Sequence, residues 1–228
     1  MEKAYFNWSS GKDSAMALYY ALRSGKYDIQ TLFTTVKKDG ARVAMHEIGI
    51  DLLRKQAQAL GLPLTVLEYQ LADGGESYRA AMARQIERLK SRNIRTALFG
   101  DLYLEELRKS REKHCRQSGI KAAFPLWGMD AKALLSEFVK LGFKSIVTCV
   151  NASALDECFA GRVIDEAFIR DLPPGVDICG ENGEYHSFVF DGPIFSAPVP
   201  FETGRKYCKA YPGKDGTRLD KYWYVELI

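Results

Sequence analysis

A chain of 228 residues with 46% hydrophobic and 27% charged content has the apolar mass for a core, as one large domain or two small ones, which excludes a disordered chain. A formal charge of +3 without any basic tract gives a nucleic-acid partner no support, and five cysteines with no C-x-x-C pair argue against a zinc ribbon or a disulfide framework. With no apolar run near ~18 residues and no charged-then-apolar leader, the expectation is a soluble cytoplasmic protein with reduced thiols and no membrane partner.

Tyr5, Phe6 and Trp8 read as a short buried strand, and Ala15, Leu18, Tyr19 and Leu22 recur at helical spacing until Gly25. The "SSGKDS" between them (9–14) is therefore a strand-to-helix turn. Unpaired N–H groups and the dipole at a helix start attract an anion such as phosphate. Ser9, Ser10 and Ser14 add hydroxyls, Gly11 allows close approach, and Lys12 adds a full charge. Ordinary N-capping explains a lone turn of this kind as well. A Walker A loop is excluded, since it would need Gly in place of Phe6 and Ser or Thr in place of Asp13.

"TLFTT" (31–35) is the next strand, followed by a helix carrying Ile48, Leu52, Ala59 and Leu60 and closed by Gly61. "LTVLEY" (64–69) is a strand, Tyr78, Met82, Ile86 and Leu89 share a helical face, and "TALFG" (96–100) is a fourth strand. Such alternation implies parallel strands with helical crossovers, a doubly wound α/β sheet that binds ligands beyond the carboxyl ends of its strands. Ser9 to Ser14, Thr34, Gly100 and Asp101 lie at those ends.

Residues 102–119 and 131–143 read as helices and "SIVTCV" (145–150) as a buried strand. A short helical stretch (155–172) then leads to a Gly- and Pro-rich region. A soft boundary near Trp127 divides the chain into 1–128 and a smaller α+β part, 129–228. "GENGEYHSFVFDGP" (180–193) gathers Glu181, Glu184 and His186 at the start of a strand. An Asn-Gly turn into an edge strand accounts for Asn182 and Gly183 but not for two glutamates beside a histidine.

The opening loop resembles the S-G-G-x-D-S loop of the ATP pyrophosphatase (PP-loop) superfamily, with Ser10 in place of the first Gly. With "MH" (45–46), "FGD" (99–101), "FPLWG" (124–128), "LGFKSIVTCV" (141–150) and the 180–193 block in the same order, residues 4 to about 195 resemble the diphthine-ammonia ligase family. The "ENGEYHSF" form is similar to its bacterial branch, for part of which a cobalamin-salvage role has been suggested. That resemblance implies an adenine nucleotide alpha hydrolase-like domain followed by a smaller one. It also implies ATP with Mg²⁺, adenylation of a small or protein-borne carboxylate with release of pyrophosphate, and displacement of AMP by ammonia or an amine.

On this reading Ser9 to Ser14 with Lys12 hold the phosphates, and Thr34, His46 and Gly100 touch the nucleotide. Asp13 is a magnesium ligand or a helix cap. Asp101 orders magnesium or the amine, unless it merely caps a loop. Glu181, Glu184 and His186 recognise or deprotonate the amine. The other reading is a nucleotide-binding protein without turnover; a homodimer is compatible with either. Cys179 is expected to pack and His114 to be solvated.

Overall fold

The computed structural model describes residues 1–37, 42–43, 46–70, 75–213 and 218–228. In chain order the elements are β1 (Glu2–Asn7), α1 (Lys12–Arg23), β2 (Tyr27–Lys37), β3 (Arg42–Val43), α2 (Ile50–Ala59), β4 (Leu64–Tyr69), α3 (Glu76–Ser91), β5 (Thr96–Leu98), α4 (Glu105–Gln117) and β6 (Lys121–Ala123). Then follow α5 (Ala131–Lys140), β7 (Lys144–Asn151), a 3₁₀ turn (Glu157–Phe159), α6 (Glu166–Asp171), β8 (Tyr185–Asp191), β9 (Thr203–Pro212) and β10 (Leu219–Leu227).

The first sheet runs β4-β2-β1-β5-β6 with all neighbours parallel, and β3 adds antiparallel to the end of β2 through Val36 and Val43. The strand order reverses at β1, so the crevice between the ends of β1 and β5 is the topological switch point where such sheets bind ligands. The second sheet is antiparallel, β8-β7-β10-β9. The chain is thus a doubly wound α/β sheet joined to a smaller α+β part, as the pattern predicts.

α1 lies between the layers because its sequence permits burial on more than one face. Ala15, Ala17 and Ala21 are small, Met16 and Leu18 fill the space beside them, and all five are buried. The Tyr20 hydroxyl donates to Glu137 of α5 at 2.7 Å, and Tyr19 meets Phe143 edge to face. One hydrophobic cluster therefore runs from Phe6 and Leu18 to Phe138, Phe168 and Phe188.

Several element boundaries differ from the sequence pattern: the helix read over 131–143 ends at Lys140, and the 155–172 stretch is helical only over Glu157–Phe159 and Glu166–Asp171, Val163 between them bridging to Ile146. Ile48 precedes α2 rather than lying on it: its carbonyl accepts from Val43, and the side chain is buried. α4 starts at Glu105, because the Leu102 carbonyl is bound by the N–H of Gly128. Among the described residues no helix is long and apolar enough to cross a membrane.

Candidate active site

The loop between β1 and α1 is built for close approach. Ser10 has a left-handed backbone, φ +76°, and its hydroxyl is buried without a hydrogen-bond partner. The Ser10 carbonyl accepts from Val189 N–H (2.9 Å) and Gln56 Nε2 (3.1 Å), so it is turned away from α1. Gln56 also donates to the Val189 carbonyl and accepts from Trp8 Nε1, tying the loop to α2 and β8. Ser9 and Ser14 share a hydrogen bond of 2.7 Å between their hydroxyls. A Cβ at Gly11 would lie 3.1 Å from His46 Cε1 and from the Ser187 carbonyl, and one at Gly100 would lie 3.1 Å from the Ser14 nitrogen. A side chain at either position would crowd its neighbours by a few tenths of an ångström. Thr34 is buried, and its hydroxyl is spent on the Trp8 carbonyl at 2.8 Å.

Lys12 does not face solvent, as a bare turn would suggest; β8 and the 177–184 turn cover it. It is 4% exposed, and its ammonium donates to both Asp13 oxygens and to the Cys179 carbonyl, with the Tyr185 ring 5.1 Å away. Burial opposes its charge, yet Asp13 and the neighbouring groups hold its pKa well above the ordinary lysine value. Burial likewise raises the Asp13 pKa, against the pull of Lys12. The Lys12 N–H donates to the Ser187 hydroxyl at 3.3 Å, which brings β8 onto the start of α1.

The 177–184 turn forms the opposite wall. Asp177 accepts from the N–H groups of Cys179 and Glu181 and from the Tyr103 hydroxyl. Glu184, itself buried, accepts from Asp177 N–H, Asn182 N–H and the Asn182 amide, so its carboxylate shapes the turn. Glu181 instead faces Asp13 and Asp101: burial and the Asp13 charge push its pKa up to about 7, while Lys12 and the Leu102 N–H pull the other way. Asp101 is buried and paired with Arg111 at 2.6 and 3.2 Å, the guanidinium resting on the Phe99 ring at 4.7 Å.

His46 and His186 stand together, ring centroids 4.8 Å apart, and His46 Nδ1 lies 3.2 Å from the Ser187 carbonyl. Met45 of the "MH" pair lies outside the described residues. His114 is exposed on α4, away from these groups, and Cys179 is buried with its thiol pushed up to about 12 by burial, which fits packing rather than thiolate chemistry.

The structure thus brings His46 to Gly11 and His186 to His46, Gly100 to Ser14 and Asp13, and Glu181 within reach of the Asp13 and Asp101 charges, with Thr34 and Glu184 holding the frame. Gln56, Tyr103, Arg111, Asp177 and Ser187 were not singled out from the sequence. Only Gln56 carries a signal there, a polar side chain on the stripe of Leu52, Leu53 and Ala57.

The donors fit a triphosphate: a helix start whose N-cap residue has no side chain to cap it, an unpartnered buried hydroxyl and two glycines at close approach. They make no protein-built metal site, since no group of three or more His, Cys, Asp or Glu among the described residues is arranged to hold an ion, and both Asp13 oxygens are bonded to Lys12.

A cattle (Bos taurus) diphthine–ammonia ligase is 24% identical over 84% of this chain and 79% of its own length, and the zebrafish (Danio rerio) protein of that name is 27% identical over 84% and 83%. A Schizosaccharomyces pombe protein of the same name is 25% identical, but this chain spans only 34% of its length. Among solved structures, a predicted subunit of tRNA methyltransferase from Methanocaldococcus jannaschii superposes on 63% of this chain and 77% of its own, with TM-score 0.42 at 17% identity. The model of the diphthamide synthase N-terminal domain matches residues 2–122 and that of the C-terminal domain residues 130–218, and the chain accordingly belongs to the diphthamide synthase family.

Proposed function

We propose that this chain is an ATP-dependent carbon–nitrogen ligase of the kind its relatives are named for. A carboxylate attacks the α-phosphate of ATP, giving an acyl adenylate and pyrophosphate; ammonia then attacks the acyl carbon, AMP leaves, and an amide forms. The observation that carries this reading is Glu181 set near Asp13, in the first turn of α1, where burial and that charge push its pKa up to about 7. The helix start and the loop hydroxyls orient the phosphates, and the dipole stabilises charge that develops on the leaving group. Glu181 accepts the proton that ammonia sheds, a role its carboxylate suits at neutral pH. Glu184 and Asp177 hold the turn that aims Glu181.

Magnesium belongs to this reading as the ion that accompanies the triphosphate, and Asp13 would reach it only on releasing Lys12. Division into a nucleotide part (1–128) and an acceptor part (129–228) is supported by the change of sheet after α5, although the two share a core. A cytosolic location fits the five free cysteines. The test is a panel of carboxylic acids, diphthine included, assayed for acid-dependent pyrophosphate release and ammonia-dependent AMP release. ATP binding with no release for any acid would favour a nucleotide-binding protein without turnover.

A further inference from the structure

A bound triphosphate carries up to about four negative charges, and among the described residues the cations of the loop and of the Asp101 wall are already matched, Lys12 with Asp13 and Arg111 with Asp101. The start of α1 supplies only about half a positive charge. Two imidazoles stand at this place. The His46 ring covers Gly11, and the His186 ring lies 4.8 Å from it, tilted by 43°. His46 Nδ1 donates to the Ser187 carbonyl, because a carbonyl can only accept, and this leaves Nε2 as the acceptor of a neutral ring.

Among the described residues the charged and titratable neighbours are three. Lys12 acts on both rings from the loop. Glu47 follows His46 in the chain and is paired with Lys209 of β9 at 2.8 Å. Cys149 of β7 is the register partner of His186. Burial above all keeps His46 neutral down to about pH 4, with Lys12 adding to the effect. Burial, then His46 and then Lys12 do the same for His186, down to about pH 3.

We propose that His46 and His186 form an imidazole pair over the phosphate loop that takes up one proton from solvent when a triphosphate seats there, supplying the positive charge that Lys12 withholds. The inference rests on the nucleotide reading above. At an effective dielectric near 20, each phosphate charge within about 5 Å favours the imidazolium by roughly a hundredfold, so two such charges overcome burial. A single proton is expected, because two imidazolium rings at 4.8 Å would repel. The proton returns to solvent when pyrophosphate departs.

The experiment titrates the full chain with the magnesium complex of α,β-methylene-ATP, by calorimetry in two buffers of different ionisation heat near pH ~7.5. A carbon–proton spectrum of the three histidine Cε1 groups is recorded alongside. Expected are an uptake of about half to one proton per nucleotide, movement of the His46 and His186 signals toward imidazolium positions, and a still His114 signal as internal reference. In the H46Q/H186Q double variant the uptake should vanish, and affinity near pH ~6 should fall about tenfold. Nucleotide binding with no proton uptake and unmoved His46 and His186 signals would overturn the proposal; so would an unchanged proton count in the double variant. The spectrum of the unaltered chain decides the matter if that variant does not fold. No binding at all by the unaltered chain would instead overturn the nucleotide reading, and the pair with it.

Discussion

Lys12 donates its ammonium to the backbone carbonyl of Cys179, a residue 167 positions further along the chain. The cation of the phosphate loop is therefore also the bolt that fastens the loop to the 177–184 turn. Its charge, buried beside the partly exposed carboxylate of Asp13, contributes more to the junction of the two sheets than to the open crevice.

Removing one member of this pair should cost more than removing both. Lys12→Met leaves the partly buried Asp13 carboxylate without its partner, at a cost of about 1–3 kcal/mol. The double variant Lys12→Met/Asp13→Asn leaves no charge there and should recover at least ~1 kcal/mol of that loss. Urea unfolding of the two variants measures the difference; equal midpoints would show that the pair is not electrostatically coupled in the folded chain.

Ser10 combines a left-handed backbone with a buried, unpartnered hydroxyl. A non-glycine residue in that conformation is strained by roughly 1–2 kcal/mol, and glycine gives back about 0.5–1 kcal/mol in chain entropy. Ser10→Gly should therefore stabilise the chain by about 0.5–1 kcal/mol. A lower thermal midpoint in that variant would mean that the hydroxyl is bound in the ligand-free protein.

Gln56 is fully buried and makes three contacts that join α2 to Trp8 and Ser10 of the loop and to Val189 of β8. Gln56→Leu would strand the Trp8 N–H and leave two carbonyls with one partner fewer, a loss of about 3 kcal/mol. Gln56→Glu should be worse near pH ~7, since a carboxylate would face the Ser10 and Val189 carbonyl oxygens, and should regain stability near pH ~5 as it protonates. Denaturation at the two pH values checks both the order and the recovery.

The first sheet was legible because its principal strands and helices each carry a period. β3 and β6 were not, for two or three residues hold no period at all. The β9–β10 hairpin keeps Tyr207, Lys209 and Tyr211 half-buried on one face and exposes the residues between them, a weak alternation of mostly polar side chains. In the site, the loop and the 180–193 block could be found because their residues are neighbours in the chain. Their mutual arrangement could not be, since Ser187 meets Lys12 across 175 positions and Tyr103 meets Asp177 across 74. An isolated strand-to-helix turn leaves its lysine in water; only the packing of β8 against α1 buries it.

The two glutamates of the turn should respond in opposite ways to loss of charge. Glu181 has its folded pKa raised from 4.5 to about 7. At or below about pH 4.5 it is mostly protonated in both the folded and the unfolded chain and contributes little. Between about 4.5 and 7 the unfolded chain gives up its proton first, so stability declines with rising pH, and above about 7 the full penalty is in force. Glu181→Gln should then raise stability at pH ~8 by about 1–2 kcal/mol and leave it nearly unchanged at pH ~4. Glu184 differs in its hydrogen bonding. Its two oxygens accept three hydrogen bonds, two of them from backbone N–H groups, and an amide can satisfy only one oxygen's share. Glu184→Gln should cost about 2 kcal/mol at pH ~8. Denaturant midpoints of both variants test the contrast, and the amide assay tests its chemical side. Glu181→Gln should bind ATP normally and form amide about 10²-fold more slowly, whereas Glu184→Gln should lose activity only in step with its stability. Normal amide formation by Glu181→Gln would mean that another group, or water, takes the proton from ammonia.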